Sequence, residues 1–425
     1  MIKETSLFKN RNFMALWGAQ IAALVASYIL NFILLVIVYR QTAGTSFQSL
    51  SVALVMIAFT LPAFLFSPTA GVVADTFDRK KILITVTALR ILCLGALIVA
   101  WKSFAALLII TTIFAAATQF FIPAEAAAIP VLVKTRLLTR ANALFLTSIY
   151  VTFLIGFIGG GIVLSQVGEE GTFLVLIGFF AIALALLNTL PQMVPKQVAT
   201  KRNHILNPII QFMEGLRIVR ESKERTFALV TVATAQSVIY VLITSVPDIV
   251  RRLLGKFTGT NGVYILAPIA LGMALGIALT VKLDNKKQPL KFITSLLVLQ
   301  AIALTCTALY LQFKHGTATF IGLLPLLLAL AVFGASNASM ATVSQTLLQI
   351  SSPDAVRGRV FAALQMLVSI GAVVPLLLTG VINQAVGPGY VVLSVGLALA
   401  VLAGYFSYRN NAQRRALAEH SNGEL

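Results

Sequence analysis

Apolar residues run along this chain in twelve long segments, and polar stretches separate the segments from one another. An α-helix needs about 20 mostly apolar residues to cross roughly 30 Å of hydrocarbon, and each segment supplies them. Backbone N–H and C=O groups cannot stay unpaired in lipid, so each segment is predicted to be a membrane-spanning helix. The predicted spans cover residues 13–39, 49–74, 82–100, 104–124, 143–166, 172–193, 226–250, 261–283, 290–312, 319–345, 360–384 and 389–408.

One polar stretch is longer than the others and divides the spans into two groups of six. It covers residues 194–225 and carries seven Lys and Arg residues. We expect a basic linker that ends in an amphipathic helix around residues 208–221, lying on the membrane surface. The sequence therefore predicts a six-helix bundle over residues 1–193, this linker, a second bundle over residues 226–409 and a cytoplasmic tail over residues 410–425.

The composition excludes a water-soluble protein. Hydrophobic residues make up 58% of the 425 residues and charged residues 11%, with a mean hydropathy of +0.93. Soluble domains carry about 25% charged residues, so a water-soluble enzyme is excluded. The predicted fold class is an all-α membrane protein with twelve transmembrane helices in two six-helix bundles.

The positive charge of the chain is explained by its orientation in the membrane. A formal net charge of +18 would indicate nucleic-acid binding in a soluble chain. With the N-terminus inside the cell, 25 Lys and Arg residues fall in inner segments, 6 fall in outer loops, and Arg90 lies inside a span. Because basic residues concentrate on the cytoplasmic side, both termini are predicted to be cytoplasmic, and no nucleic-acid partner is expected.

The sequence carries no recognisable motif for catalysis or metal binding. Cys93 and Cys306 lie in separate apolar segments, and His, Cys, Asp and Glu residues do not cluster with the spacing of a metal site. A nucleophile elbow and a phosphate-binding loop are absent as well. We therefore expect no catalytic residues, no metal, no cofactor and no enzymatic activity.

The clearest motif lies between spans two and three. It begins at Gly71, continues to Asp75 and ends in the basic cluster Arg79, Lys80 and Lys81. This pattern resembles the loop signature of the major facilitator superfamily. The resemblance implies a gating role in which Asp75 accepts a hydrogen bond from a helix N-terminus or a basic residue across the interface between the bundles. The alternative is an ordinary helix end with cytoplasmic basic residues.

Two further segments resemble one branch of that superfamily. Residues 121–133 and 138–144, which include Arg140, look like the connection between spans four and five of macrolide-efflux and siderophore-export proteins. Residues 352–360, which include Arg357 and Arg359, look like the equivalent connection in the second half. The resemblance adds these three arginines to the gating residues. It extends more loosely to bacterial lysophospholipid transporters.

Span five departs from the pattern of drug:proton antiporters. Thr152 replaces the first Gly of their Gly-x-x-x-Gly-Pro-x-x-Gly-Gly motif, and Phe157 replaces its Pro. This departure weakens an inference of antiport.

Polar residues inside the spans are candidates for a substrate cavity. Such residues usually face a bundle interior or a cavity, because they are costly in lipid. In the fold that the chain resembles, spans one, four, seven and ten line the central cavity. The alternative, hydrogen bonding between helices, stays open for each residue. The candidates are Gln20, Ser27, Asn31, Gln119, Tyr240, Thr244, Asn337 and Ser344.

Two charged residues have open roles. Arg90 is the basic residue deep in a span, where it either meets an anionic substrate group or serves as a structural partner for Asp75 or a helix C-terminus. Asp248 precedes Arg251 and Arg252 by three and four residues at the outer end of span seven. It forms either a surface ion pair with them or an outer gate.

The acidic residues lead to an expectation about the substrate. Asp75, Glu125 and Asp248 lie at predicted span ends, and the other Asp and Glu residues lie in loops, the linker or the tails. No carboxylate is thus expected at mid-membrane, where a proton-coupled exporter of cations would need one. Neutral or anionic amphiphiles are the expected substrates, and proton coupling is expected to be weak or to run through Asp75 or Asp248.

Together, the layout and the resemblance predict a secondary transporter in a bacterial inner membrane. We expect a monomer in the lipid bilayer that exports a small amphiphilic molecule by alternating access, with protons as the candidate coupling ion. A lysophospholipid transporter is the alternative, and a transporter-like receptor or sensor is a third hypothesis.

The motif after span two gives a testable prediction. Asp75→Asn is expected to cripple transport and to leave membrane insertion intact, because loss of the charge shifts the conformational equilibrium rather than the fold. Substrate flux and the amount of membrane-inserted protein are the measurements. Normal flux in a well-expressed variant would contradict the gating role.

Overall fold

The structure is a computed structural model that describes residues 7–134, 137–194, 208–255, 257, 261–282, 289–313, 320–351 and 357–422. A short 3-10 helix, Leu7–Lys9, precedes the α-helices. The helices are α1 (Arg11–Gln41), α2 (Gln48–Thr76), α3 (Arg79–Ala100), α4 (Phe104–Leu132), α5 (Leu138–Asn188), α6 (Pro208–Arg220), α7 (Lys223–Leu254), α8 (Val263–Lys282), α9 (Pro289–Phe313), α10 (Phe320–Ser351), α11 (Arg357–Val386) and α12 (Pro388–Asn422).

Polar side chains set where several helices begin. The side chain of Asn10 accepts a hydrogen bond from Phe13 N at the start of α1, and Asp78 accepts one from Lys80 N at the start of α3. Ser103 and Ser222 cap α4 and α7 in the same way. These residues satisfy N–H groups that the first turn of a helix leaves without partners.

Eleven helices in the described part of the chain have the length and hydropathy of a membrane span, and α5 accounts for two of the predicted spans. α5 has 51 residues, which would make one straight helix about 77 Å long. Its path is interrupted at Gly168, where φ is 70° and ψ is −173°. Glycine adopts this backbone conformation without a steric penalty, so the chain changes direction between predicted spans five and six.

The predicted end of span four is wrong. Residue 124 is the predicted last residue, whereas α4 continues to Leu132 through Pro123 and Pro130. Membrane helices tolerate proline because neighbouring helices and local adjustments satisfy the freed backbone groups. Glu125 therefore lies inside a helix that spans the membrane.

Helix α6 confirms the predicted helix in the long polar stretch. Val219 of α6 is fully buried and clusters with Leu229 of α7 and Leu364 of α11. Arg217 and Arg220 remain exposed. Part of the apolar side of the helix thus packs on protein, while Met213 stays exposed. A position of this helix on the membrane surface stays a prediction. The rest of the predicted linker, residues 195–207, lies outside the described residues.

Within each half, the helices pack mainly on members of the same half. α1 packs on α5 and α2 on α4 in the first half, while α8 packs on α10 and α9 on α12 in the second. The halves meet where α2 crosses α11. A Cβ placed on Gly380 of α11 would lie 2.9 Å from Leu50 Cα and 3.0 Å from Ala53 Cβ of α2. Glycine at this position lets the two halves approach closely.

Three glycines bring α8 and α10 into backbone contact. A Cβ on Gly272 or Gly276 would overlap the carbonyl groups of Ala331 or Ala335, and a Cβ on Gly334 would overlap that of Ile269. Small residues at a helix crossing allow this approach, and van der Waals packing then holds the pair together in lipid.

This crossing gives a stability prediction. Gly334→Ala is expected to lower the melting temperature of the purified protein, because overpacking costs about 1–3 kcal/mol. Gly404→Ala is the matched control: a Cβ there meets nothing within 4 Å, so this change should not destabilise the protein. Thermal unfolding in detergent is the measurement. Equal melting temperatures for the two variants would contradict the backbone contact.

Candidate functional site

A cavity of about 310 Å³ lies among α1, α2, α3, α4, α5 and α7. Of the described residues that line it, all but Tyr240 and Ile243 of α7 belong to the first half. Six candidates from the sequence line this cavity, namely Gln20, Ser27, Asn31, Arg90, Gln119 and Tyr240.

The helical spacing on α1 turns three polar residues toward the cavity. Ser27 Oγ donates to Ala23 O over 2.7 Å, and Asn31 Nδ2 donates to Ser27 O over 2.9 Å. The Ser27 hydroxyl and one N–H of the Asn31 amide are therefore used within the helix. The side-chain oxygen Oε1 of Gln20 is buried and has no hydrogen-bond partner among the described residues. It is an acceptor available to a bound molecule.

The other three cavity candidates lie elsewhere. Thr244 Oγ1 donates to Tyr240 O over 2.9 Å within α7. Asn337 Nδ2 of α10 donates to Ala235 O of α7 over 3.0 Å. Ser344 Oγ of α10 lies 2.8 Å from Thr231 Oγ1 of α7. Asn337 and Ser344 thus bridge two helices, in agreement with the alternative of interhelical hydrogen bonding.

Arg90 lies in the middle of α3 and is 2% exposed. Its guanidinium carbon Cζ lies 4.6 Å from the ring centroid of Phe121, 5.6 Å from that of Phe180 and 5.8 Å from that of Phe114. These distances allow cation–π attraction. Its acidic neighbour is Glu125, with which it interacts electrostatically. The side chain of Asp75, the partner considered from the sequence, lies outside the described residues.

Glu125 is the site residue that the sequence reasoning missed. It is buried, lines the cavity, and its Oε1 has no hydrogen-bond partner in the described part of the chain. The sequence placed Glu125 at the end of a span and no carboxylate at mid-membrane, whereas α4 continues for seven residues beyond Glu125 and the Glu125 side chain lines the cavity. The expectation of neutral or anionic substrates loses its basis. The apolar run after Glu125 was a signal that the helix continues.

Asp248 of α7 lies in a buried network between the halves. Tyr39 Oη of α1 donates to Asp248 Oδ1 over 3.0 Å, and Ser49 Oγ of α2 donates to Oδ2 over 2.9 Å. Arg251 Nη2 is 3.9 Å from Oδ1, and Arg251 Nη1 donates to Gln48 Oε1 over 3.2 Å. We call Tyr39, Gln48, Ser49, Asp248 and Arg251 the Asp248 cluster. The predicted ion pair with Arg251 is present, but only its Arg251 side is exposed, because Asp248 is 3% exposed and receives hydrogen bonds from the first half.

Comparison with known proteins identifies the family. Residues 16–374 match the family model described as Major Facilitator Superfamily.

This chain belongs to the major facilitator superfamily.

Several similar proteins match nearly the whole length of the chain at low identity. Macrolide efflux protein A of Streptococcus pyogenes is 24% identical over 398 residues, which cover 92% of this chain and 94% of that protein. A solved POT family transporter in complex with a thioalcohol-conjugated peptide has a TM-score of 0.74 at 14% identity and covers 95% of this chain and 96% of its own. The nucleoside transporter NupG has a TM-score of 0.69 at 13% identity, and the match covers 93% of this chain and 98% of NupG.

These findings confirm the predicted fold class, twelve transmembrane helices in two six-helix bundles. They also confirm a multi-pass membrane protein with a transport function. The solved structures are below 25% identity, so they support the fold and leave the substrate undetermined.

The loop that resembles the superfamily signature contacts the C-terminal end of α5. Lys80 Nζ donates to Asn188 O over 2.7 Å and to Leu190 O, where a cation stabilises the end of a helix. Arg79 N donates to Met193 O over 3.3 Å. These contacts lie within the first bundle.

For the remaining gating candidates, the described residues show no contact that assigns a gating role. Gly71 is part of α2, and a Cβ there would meet nothing within 4 Å. Arg140 is exposed near the start of α5. Arg357 and Arg359 begin α11, and their side chains lie outside the described residues.

The Asp248 cluster gives a prediction about access to the cavity. Asp248→Ala is expected to increase the labelling of a cysteine at position 240 by an impermeant thiol reagent added from outside, and to slow transport. Hydrogen bonds to a charged group contribute about 1.5–3 kcal/mol each, so losing two shifts the conformational equilibrium by roughly a hundredfold or more. Labelling is measured after Cys93 and Cys306 have been replaced by alanine.

Glu224→Ala serves as the control, because it removes an exposed carboxylate from the opposite end of α7. If Asp248→Ala changes neither labelling nor transport, the cluster is not a gate.

Proposed function

We propose that this transporter exports a small amphiphilic molecule by alternating access. The observation that carries the proposal is a mainly apolar cavity that is bordered by residues of both bundles. The Asp248 cluster joins the two bundles at one end of the protein. Rocking of the two bundles would break this junction and open the cavity to the other side of the membrane. The positive-inside pattern supports an outer location for the cluster and a cytoplasmic location for both termini.

The walls of the cavity support an amphiphilic substrate. Aromatic residues such as Phe59, Phe153 and Phe157 provide apolar surface, while Gln20 and Gln119 provide amide groups. Sites for small molecules combine a mainly apolar wall with a few polar groups in this way. The volume of about 310 Å³ is at the lower end of the range of roughly 300–1,000 Å³ for such sites. A larger amphiphile such as a macrolide would therefore enter this cavity only after the bundles move apart.

The direction of transport is supported by one relative. Macrolide efflux protein A matches almost the full length of this chain. The POT family transporter and the nucleoside transporter share the fold with different substrates, so the fold by itself decides neither substrate nor direction.

In this proposal the substrate crosses without chemical change, the protein acts as a monomer, and protons remain the candidate coupling ion. The bundles extend over residues 1–193 and 226–409, with the linker at 194–225 between them and the tail at 410–425. The candidate gating residues stay Gly71, Asp75, Arg79, Lys80, Arg140, Arg357 and Arg359, with Asp248 as the outer gate.

Flux measurements in vesicles test the direction and the substrate. Everted membrane vesicles that contain the protein are expected to accumulate a radiolabelled macrolide, and right-side-out vesicles are not. A labelled lysophospholipid is the comparison substrate, and preferential movement of it would replace the drug-export proposal with lysophospholipid transport. Saturable binding of a compound without flux would instead indicate a receptor or sensor.

A reversible cross-link tests the mechanism. Ser49 N of α2 donates to Gln384 Oε1 of α11 over 3.4 Å, so a short thiol-specific cross-linker should connect cysteines at these two positions. Cross-linking Ser49→Cys/Gln384→Cys is expected to abolish transport, and a reductant is expected to restore it to the level of the untreated double variant. Each single-cysteine variant, treated identically, is the control. Unchanged flux in the cross-linked protein would refute alternating access that requires α2 and α11 to separate at Ser49 and Gln384.

A further inference from the structure

A basic surface lies at one end of the first bundle, where the N-terminal segment meets the connection between α4 and α5. Asn10 Nδ2 donates to Leu132 O over 2.7 Å, and this hydrogen bond joins two segments that are 122 positions apart. The side chains on both sides of the contact are exposed. We call the following residues the N-terminal corner: Phe8, Lys9, Arg11, Lys134 and Arg140.

The packing of α1 on α5 places Arg140 in this corner. The ring centroids of Phe13 and Phe145 are 5.9 Å apart, and Trp17 Nε1 donates to Ser148 Oγ over 2.8 Å. Both contacts advance along the two helices in the same direction, so α1 and α5 run parallel. The first turn of α5, which carries Arg140, therefore lies beside the first turn of α1.

The positive charge of the corner is not balanced by acidic residues. The sequence has no Asp or Glu between Glu4 and Asp75, and none between Glu125 and Glu169. Among the described residues, the four basic side chains of the corner form no ion pair within 4.0 Å. The other basic stretches on the predicted cytoplasmic side all include carboxylates, namely residues 75–81, 196–225, 282–291, 354–359 and 409–424.

Apolar side chains are exposed beside these charges. Phe8 is 61% exposed, and its ring meets the half-buried ring of Trp17 edge to face at a centroid distance of 6.2 Å. Val131, at the end of α4, is exposed as well. Basic and aromatic side chains on one surface suit the boundary between lipid headgroups and acyl chains.

We propose that the N-terminal corner binds anionic phospholipids of the cytoplasmic leaflet. Clusters of Lys and Arg at the cytoplasmic ends of membrane helices attract anionic headgroups. The lipid phosphates would lie among the four basic side chains, and Phe8 would reach the acyl chains. A bound lipid would hold together the N-terminal segment, the end of α4 and the start of α5. The inference rests on the proposed cytoplasmic location of the N-terminus and is independent of the substrate.

Tryptophan fluorescence can report which lipid lies at the corner. The chain has two tryptophans, so Trp101→Phe leaves Trp17, the neighbour of Phe8, as the emitting residue. The full-length variant is reconstituted in phosphatidylcholine vesicles with increasing fractions of dibrominated phosphatidylglycerol or dibrominated phosphatidylcholine, because bromine quenches nearby tryptophan. Half-maximal quenching is expected at a roughly tenfold lower fraction of the phosphatidylglycerol.

Trp101 provides the control for position. It follows α3 at the opposite end of the bundle, where its Nε1 donates to Glu170 Oε1 over 3.4 Å. The reciprocal variant Trp17→Phe is therefore expected to be quenched equally by the two brominated lipids, because carboxylates lie beside its remaining tryptophan.

Two triple variants assign the preference to the corner. Lys9→Gln/Arg11→Gln/Lys134→Gln, made in the Trp101→Phe protein, is expected to reduce the preference for phosphatidylglycerol to about twofold or less. The matched control is Arg217→Gln/Arg220→Gln/Lys223→Gln, which removes three exposed basic residues from α6 and α7 and should keep the full preference.

The outcomes separate this inference from the proposed function. Equal quenching by the two lipids, a preference that survives the corner variant, or an equal loss in the α6 and α7 control would overturn the inference. If the corner variant does not insert, the lipid comparison on the parent protein and its loss at high ionic strength decide. An exporter without lipid preference keeps the proposed function, and a protein that prefers the anionic lipid but moves no compound fails it.

Discussion

The cost of placing charge in an apolar interior governs this structure. Lipid offers neither hydrogen bonds nor counter-ions, so each buried charge needs a partner from another helix or from a bound molecule. Asp248 receives hydroxyl donors from α1 and α2. Arg90 is enclosed by aromatic rings. Glu125 has no such donor in the described part of the chain, and the cavity lies at its side. The contact between the two halves at Asp248, the packing of α3 around Arg90 and the position of Glu125 beside the cavity all follow from this cost.

Much of the fold was predictable because a helix that crosses lipid must be a long, nearly uninterrupted apolar segment. Long apolar segments indicate helices directly, and the count of spans and the division into halves agree with the family fold. The sequence is ambiguous where the same local pattern fits two structures. Pro123 and Glu125 marked the end of span four in the sequence, yet neighbouring helices support α4 through both positions. Residues of α6 have an amphipathic pattern, which cannot reveal whether the apolar side meets lipid or protein.

The candidate site was predictable only within single helices. The spacing of Gln20, Ser27 and Asn31 places them on one side of α1, and they line one cavity. Contacts between distant segments leave no such pattern. Tyr39 and Asp248 are 209 positions apart in the chain, and nothing local in the sequence links them. For the same reason, sequence spacing paired Asp248 with its neighbours Arg251 and Arg252 and missed the donors on the first bundle.

The order of synthesis gives the Asp248 cluster a role in assembly. Tyr39, Gln48 and Ser49 are translated long before Asp248, so their helices can already be in the membrane when α7 enters it. A charged side chain makes the insertion of a single helix less favourable. The donors on α1 and α2 lower this cost by receiving the carboxylate as α7 docks. A folded first bundle would thus offer α7 a polar docking position, and the residues that join the mature halves would be the ones that lower the cost of its insertion.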